Sequence, residues 1–244
     1  MDFVAEIEKQ ASAMRTACVQ AGPEAPVPTC PKWTVHDLVT HQARVHSWAG
    51  KALATPPSNE PPRPDEQPSA EGPSAWNDLL TWWDERLAIL LDRLRTTAPD
   101  TPVWTFNGEN VASFWAQRQA HETAIHRLDA LHAVGDVPTL LWTPEFAADG
   151  VDEYFTRLMP RAVNRVPIDV TGTILFHAAD AGRTWELRLA PGEPVVVSPV
   201  QDAAVDEDAT VAGTADAIYR AVWGRPSPAI VSGNRALLDG LRRP

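Results

Sequence analysis

The stretch Phe114-Trp-Ala-Gln-Arg-Gln-Ala-His-Glu-Thr-Ala-Ile-His-Arg-Leu-Asp129 combines the apolar spacing of a packed helix with acidic, basic and imidazole side chains. On a helical wheel of about 100° per residue, its apolar side chains share one arc. Four polar residues lie inside that arc or at its edge: Arg118, Glu122, His126 and Asp129. An isolated carboxylate in an apolar setting would protonate rather than stay ionised. We therefore expect a positive partner beside Glu122, either an arginine or a metal ion.

A second helix is predicted across residues 34–53, and it carries another inward-facing histidine. Thr34 is a suitable N-cap, and Asp37 three positions later indicates a capping box with aspartate in place of glutamate. His41 lies within the apolar stripe of this helix, whereas His46 lies at the edge of the stripe. We therefore expect His41 to be the functional histidine of this segment.

The two helices together predict a metal site. Glu122 and His126 are four residues apart, which places both on one face of their helix. If the two helices pack together, His41 can join them, so that two imidazoles and one carboxylate converge beside an open position for water or substrate. That is the ligand set of a catalytic zinc site.

Structural ion pairs are the alternative interpretation of the same residues. Glu122 can be buried against Arg118 or Arg44. His126 can then pair with Asp129. The Glu-x-x-x-His spacing does not decide between the two interpretations.

Protease chemistry of the His-Glu-x-x-His type is disfavoured, because His126 follows His121 by five residues and so lies on a different part of the helix. The remaining histidines are expected to be solvated or structural: His36, His46, His132 and His177.

The composition excludes several classes of function. A formal net charge of -11 over 244 residues, with no basic stripe, opposes nucleic-acid binding. We expect a cytoplasmic protein without a membrane contact, since no signal-peptide core and no bilayer-spanning apolar run is found. Cys18 and Cys30 have neither a Cys-x-x-Cys nor a Cys-His context, so a catalytic sulfur would have to come from a cofactor.

The first part of the chain is predicted to be a helical bundle. Its four amphipathic helices cover residues 2–20, 34–53, 74–97 and 111–133. The proline-rich segment 55–73 is predicted to be a long crossover or a mobile loop. Bundles with one long crossover have metal sites between facing helices. A further helix is predicted across 144–160, with Thr143 as its cap.

The pattern changes to strand alternation after about residue 165. Strands are predicted at 166–178, 184–189, 194–197 and 209–213, and helices at 216–223 and 235–242. The fold class is therefore α+β, with a helical domain over residues 1–160 and a smaller α+β domain over 165–244.

Four blocks of sequence, taken in order, carry a resemblance to a known family. They are Trp33-Thr-Val-His-Asp-Leu-Val-Thr-His41, the stretch 114–129, Gly213-Thr-Ala-Asp-Ala-x-Tyr-x-x-x-Trp223-Gly-Arg225 and Val231-Ser-Gly-Asn234. They resemble the mycothiol-dependent maleylpyruvate isomerase family of actinobacteria over nearly the whole chain. The resemblance implies a DinB-like four-helix bundle followed by a C-terminal α+β domain.

The same resemblance implies a divalent metal, usually zinc, held by a histidine of the second helix and a Glu-x-x-x-His pair of the fourth. Carried onto this chain, the ligands are His41, Glu122 and His126. His121 would then be a neighbour of the site. It also implies mycothiol as the cofactor.

The implied reaction begins with a thiolate. A divalent cation favours the thiolate form of a thiol, which then adds to the double bond of an electrophilic substrate. If the thiol leaves after rotation about the new single bond, the enzyme is a cis-trans isomerase. If it stays, the enzyme is an S-transferase.

The candidate catalytic residues beside the metal ligands are Arg118, Arg225 and Asp129. Both arginines are candidates for binding anionic substrates, although Arg225 can instead stabilise the carbonyls that end a helix. Asp129 either orients His126 or pairs with Arg118. Four tryptophans either line the cleft or belong to the core: Trp33, Trp48, Trp104 and Trp115.

A non-catalytic role is the competing hypothesis, in which the C-terminal domain binds a ligand or a partner and the metal is structural. Structural zinc normally takes four protein ligands and favours cysteine, which opposes this version. The expected partners are therefore a small-molecule thiol and an electrophile, with the protein a monomer or a homodimer.

Overall fold

The computed structural model describes residues 1–57, 72–160, 168–199 and 207–241. Most of the predicted 55–73 loop lies outside the described residues, as do positions 166, 167 and 242 of the predicted strands and helices. By their contacts, the residues separate into two units, Met1–Val137 and Pro138–Pro244.

The described helices of the first unit form the predicted bundle. They are α1 (Phe3–Ala21), α2 (Val35–Leu53), α3 (Trp76–Thr96) and α4 (Ala112–Val134). Helix α4 packs mainly against α1, while α2 packs against both α3 and α4. The core between them is formed by fully buried side chains such as Met14, Leu38 and Trp83.

Local sequence sets the ends of the two helices that carry the site. At the start of α2, the Thr34 side chain accepts from Asp37 N, and Thr34 N donates to Asp37 Oδ2 at 2.8 Å, so the predicted capping box is confirmed. Helix α4 ends at Val134 and is followed by Gly135, whose φ of 83° is the left-handed conformation that glycine adopts after helix ends.

The second unit combines a mixed sheet with short helices. It contains α5 (Pro144–Glu153), a π-helical turn (Tyr154–Leu158), β1 (Gly172–Ala178), β2 (Arg183–Leu189), β3 (Val196–Pro199), β4 (Ala209–Gly213), α6 (Ala215–Val222), β5 (Ile230–Gly233) and α7 (Arg235–Leu241). The strand order is β3-β2-β1-β4-β5. Only β1 and β4 pair in parallel among the described strands. The α+β class is confirmed, and β5 is a strand that the sequence pattern did not predict.

The observed division of the chain lies before α5, whereas the sequence placed it after residue 160. The reason is side-chain anchoring within the second unit. Asp216 Oδ2 accepts from the backbone N–H groups of Leu141 and Trp142, at 2.7 and 3.0 Å. Farther along, Phe155 packs on Phe176 with ring centroids 5.0 Å apart. The segment that contains α5 therefore packs with the sheet. Among the described helices, none is both long and apolar enough to cross a bilayer.

Candidate metal centre

His41 of α2 meets Glu122 and His126 of α4. The Nε2 atom of His41 lies 3.1 Å from Glu122 Oε1, and Nε2 of His126 lies 3.3 Å from the same oxygen. The two imidazole centroids are 4.8 Å apart. Helix packing therefore brings together the three side chains that the helical wheels selected.

Arg118 binds the other oxygen of Glu122. Its Nη2 donates to Oε2 at 2.8 Å, and the arginine side chain is only 4% exposed. Arg44, the other arginine considered as a partner, is exposed. The structure thus contains the expected ion pair and the convergence of imidazoles at the same carboxylate.

The environment of Glu122 favours its ionised form. Burial opposes the charge, but hydrogen bonds from His126 and His41 and the positive charge of Arg118 outweigh it, so the pKa of Glu122 is lowered well below its usual value. The site therefore presents a carboxylate, which is the form that binds a cation.

His126 contacts a carboxylate through each ring nitrogen. Its Nδ1 lies 2.9 Å from Oδ2 of Asp129, a completely buried residue. Burial opposes a charged imidazole, yet hydrogen bonds with Asp129, Cys30 and Glu122 raise the pKa of His126 well above its usual value. Of the two roles considered for Asp129, the structure shows the contact with His126.

Two residues that the sequence did not single out also contact Asp129. Thr29 Oγ1 donates to Asp129 Oδ1 at 2.6 Å, and Cys30 Sγ donates to Oδ2 at 3.3 Å. Both residues precede α2 and are separated from Asp129 by 100 and 99 positions. No local spacing signals such a contact.

The four tryptophans divide between the site and the core. Trp33 lies against the site, with its ring centroid 4.9 Å from that of His41 and 6.1 Å from that of His126. Trp104 and Trp115 are buried, and Trp115 Nε1 donates to the backbone oxygen of Trp104 at 2.7 Å. Trp48 packs on the Trp115 ring at 4.9 Å. Trp33 is therefore the tryptophan that contacts the candidate ligands.

His46 belongs to a separate buried network. Trp83 Nε1 donates to its Nδ1 at 3.2 Å, so the proton of the neutral ring is on Nε2, which lies 3.2 Å from Thr123 Oγ1. Burial lowers the pKa of His46 to about 3. A neutral, enclosed imidazole of this kind fits the structural role expected for it.

His121 and Arg225 complete the set of sequence-predicted residues. His121 is fully buried on α4, and its ring packs edge-on against Phe3 of α1. Arg225 belongs to the second unit, where its Nη1 donates to the backbone oxygen of Trp223 at 2.9 Å. Burial raises the pKa of Tyr154, and the positive charge of Arg225 opposes that rise.

The residues present fit a divalent metal ion. Ligands bound tetrahedrally at about 2.0–2.1 Å are separated from one another by about 3.3 Å. The distances from Glu122 Oε1 to His41 Nε2 and His126 Nε2 are 3.1 and 3.3 Å. The side chains of His41 and Glu122 are 33% and 17% exposed, so the cluster is accessible from solvent. The imidazole–carboxylate link from His126 to Asp129 is also typical of metal-binding histidines.

A second group, Cys30, His126 and Asp129, also has its donor atoms within 4.8 Å of one another. It shares His126 with the first group but uses Nδ1. Asp129 is fully buried there and accepts hydrogen bonds from Thr29 and Cys30. Because these donors already satisfy the carboxylate, the group of His41, Glu122 and His126 is the better candidate for a metal ion.

Comparisons with known proteins agree with this architecture. A family model described as the mycothiol maleylpyruvate isomerase N-terminal domain matches residues 4–131, and one described as the MDMPI C-terminal domain matches residues 145–240. No curated protein matches the chain.

Two similar solved structures are those of a mycothiol-dependent maleylpyruvate isomerase and of a histidine-to-alanine mutant of such an isomerase. Each is 18% identical in sequence to this chain, and each match covers 94% of this chain and 91% of the other. The TM-scores are 0.62 and 0.64 respectively. At this identity, the likeness shows a shared fold over nearly the full length of both proteins.

Proposed function

Because the chain belongs to the mycothiol maleylpyruvate isomerase family, we propose that it is a divalent-metal-dependent isomerase with mycothiol as its cofactor and a maleylpyruvate-type substrate. The observation that carries the proposal is the meeting of His41, Glu122 and His126 around one carboxylate oxygen. We assign these three residues as the metal ligands and zinc as the expected metal.

The chemistry requires an activated thiol. When bound at these residues, a divalent cation would lower the pKa of a thiol that reaches it and so supply a thiolate at neutral pH. Neither cysteine of the chain replaces that external thiol: burial raises the pKa of Cys18 to about 12, and Cys30 donates to Asp129.

The protein's own residues hold the centre in place. Arg118 fixes Glu122 through Oε2, so that Oε1 stays directed at the two imidazoles. Asp129 accepts from Nδ1 of His126, which orients the ring and leaves Nε2 toward the site. We therefore assign Arg118 and Asp129 as positioning residues, and Arg225 as a candidate for binding the substrate's negative charge.

The reaction we propose uses addition and elimination. When bound, mycothiol would supply a thiolate that adds to one carbon of the cis double bond, with the electron pair moving into the conjugated carbonyl. The bond between the two carbons would then be single and free to rotate. Return of the electron pair would expel the thiolate, leaving the trans isomer and regenerating the thiol. Transfer of the thiol is the alternative outcome with electrophiles from which it does not leave.

The test combines metal content with turnover. We expect purified protein to contain nearly one equivalent of zinc and to convert maleylpyruvate to its trans isomer only when mycothiol is added. His41→Ala removes a partly exposed ligand and should abolish both metal retention and turnover while the protein stays folded. Glu122→Gln should do the same, whereas Glu85→Gln, at an exposed position of α3, should change neither.

Three results would count against the proposal. They are metal-independent turnover, retention of zinc by the His41→Ala protein, and unfolding of wild-type protein after chelation. The last result would instead favour the competing hypothesis of a structural metal and a ligand-binding C-terminal domain.

A further inference from the structure

We infer that Thr29 and Cys30 are positioning residues of the metal centre, and that they act through Asp129 on the ligand His126. The inference rests on the proposed function, since it concerns how the chain holds one of the assigned ligands. It extends the centre from α2 and α4 to the connection between α1 and α2.

Asp129 is enclosed by donors from that connection. Its Oδ1 accepts from Thr29 Oγ1 at 2.6 Å, the short distance of a hydrogen bond to a charged acceptor. Its Oδ2 accepts from Cys30 Sγ at 3.3 Å and from His126 Nδ1 at 2.9 Å. Both oxygens of this fully buried carboxylate are thus held in place from outside α4.

The connection that supplies these donors is itself ordered by backbone hydrogen bonds. Val27 N donates to Trp33 O at 2.9 Å, Cys30 N to Val27 O at 3.0 Å, and Trp33 N to Cys30 O at 3.0 Å. The same turn places the Trp33 ring against both His41 and His126. The segment from Val27 to Trp33 therefore contacts the centre through two side-chain donors and one aromatic ring.

The physical consequence concerns the orientation of the His126 ring. When the ring gives up its Nε2 proton to bind a cation, a carboxylate fixed opposite Nδ1 keeps the remaining proton on that nitrogen and directs the Nε2 lone pair toward the cation. Without Thr29 and Cys30, Asp129 can rotate, and the hydrogen bond that orients the ring weakens. Loss of the carboxylate that contacts a ligating histidine typically lowers metal affinity by about 10–100-fold, so loss of the donors that hold this carboxylate should fall at the lower end of that range.

Metal affinity in the whole protein tests the inference. Zinc titration by calorimetry should give a dissociation constant about tenfold weaker for Thr29→Val and for Cys30→Ala, and weaker still for the double variant. Thr29→Ser and Cys30→Ser retain a donor and should bind within about twofold of wild type. Cys18→Ala is the matched control, because it removes a buried core thiol and should leave affinity unchanged.

A purely structural role for the two residues is distinguished by the conservative variants. If affinity follows only the thermal stability of each protein, or if the serine variants bind as weakly as the apolar ones, the inference is wrong. If Thr29→Val does not fold, the zinc affinities of Thr29→Ala and Cys30→Ala are compared with those of the serine variants instead. Unchanged affinity in the folded apolar variants would also overturn it.

Cobalt spectroscopy separates hydrogen bonding by Cys30 from direct ligation. With Cys30 as a donor to Asp129, the Co²⁺-loaded protein should lack a thiolate-to-metal band, and Cys30→Ser should leave the visible spectrum unchanged. A thiolate band that Cys30→Ser removes would make Cys30 a ligand and contradict the inference. If wild-type protein binds neither zinc nor cobalt, the proposed function fails first, which is a different result from equal binding by all variants.

Discussion

Both carboxylate oxygens of Glu122 are contacted, and the two oxygens have different partners. Oε2 accepts from Arg118, while Oε1 lies between His41 and His126. Burial opposes the negative charge, but the hydrogen bonds from His126 and His41, together with the positive charge of Arg118, hold the pKa of Glu122 well below its usual value and keep the carboxylate ionised. A single carboxylate can therefore be a structural ion-pair partner and a metal ligand at once, so the two interpretations of the sequence are compatible.

The two cysteines should differ sharply in reactivity. Cys18 is fully buried, and burial raises its pKa to about 12, so its thiolate is scarce at pH 8. Cys30 is only partly buried. We predict that iodoacetamide at pH 8 labels Cys30 in the native protein and Cys18 only after denaturation. Peptide mass spectrometry measures both sites, and labelling of native Cys18 as fast as a free thiol would contradict the prediction.

For single residues, helical periodicity predicted which side chains of α2 and α4 face inward, and His41, Glu122 and His126 converge because these two helices pack together. The contacts of Thr29 and Cys30 with Asp129 could not be predicted from the sequence. The two residues contact Asp129 across about a hundred positions, and they do so from an irregular connection whose path depends on the packed bundle. No repeat or spacing encodes such a contact.

At the scale of elements, His46 links three helices of the bundle: it lies on α2 and contacts Trp83 of α3 and Thr123 of α4. Its environment accepts only the neutral ring, since burial lowers the pKa to about 3. The unfolded chain protonates this histidine near pH 6.5, whereas the folded chain does not. Stability contributed by His46 is therefore complete above pH 6.5 and is lost as pH falls toward 3.

The free energies of unfolding of wild type and His46→Gln can be compared by urea unfolding. A chelator in the buffer removes any contribution from metal binding. Wild type should be the more stable at pH 7. The difference in unfolding free energy should shrink by about 2 kcal/mol between pH 7 and pH 5, because only wild type loses this contribution. A difference that stays constant over that range would show that His46 is not held neutral.

Asp216 should be a critical anchor of the second unit. It forms an ion pair with Arg220 at 2.5 Å, both side chains being almost fully buried, and it also accepts from the backbone ahead of α5. Asp216→Ala leaves Arg220 buried without this carboxylate and should destabilise the protein by about 3–5 kcal/mol. Asp84→Ala, which removes an exposed partner of Arg15, should cost at most about 1 kcal/mol. Thermal or urea unfolding measures both, and equal costs would contradict the prediction.

Elements of strong periodicity were predictable, whereas unit boundaries were not. The four bundle helices and the Thr34 cap follow from local patterns. Strand β5 was missed because Ile230–Gly233 is too short and too exposed for a clear alternation. The segment before α5 is held in the second unit by Asp216, some seventy residues later in the chain. The local sequence around α5 therefore does not predict which unit this helix belongs to.

At the scale of the whole molecule, the fold is retained at low sequence identity. Solved isomerase structures match 94% of this chain at 18% identity, and the family models cover both units. Such divergence is expected where packing needs only apolar residues at the right spacing, while a metal centre needs particular side chains. The blocks that carried the family resemblance include the three assigned ligands.

Substitution of Arg225 tests whether the second unit takes part in substrate binding. We predict that Arg225→Gln raises KM for the anionic substrate about tenfold or more, with zinc content unchanged, since a fixed positive charge is lost. Arg188→Gln, at an exposed position of β2, is the control and should leave KM unchanged. Steady-state kinetics on zinc-loaded proteins make the comparison. Equal KM values for both variants and wild type would exclude Arg225 as a candidate for substrate binding.

Calorimetric titration of mycothiol into the protein tests the proposal that His41, Glu122 and His126 hold a metal ion that activates a thiol. We predict saturable, near-stoichiometric binding to the zinc-loaded protein, accompanied by release of the thiol proton, and loss of that binding after chelation and in His41→Ala. Equal mycothiol binding with and without metal, or no binding to protein with zinc restored, would show that the protein does not activate a thiol at a metal ion.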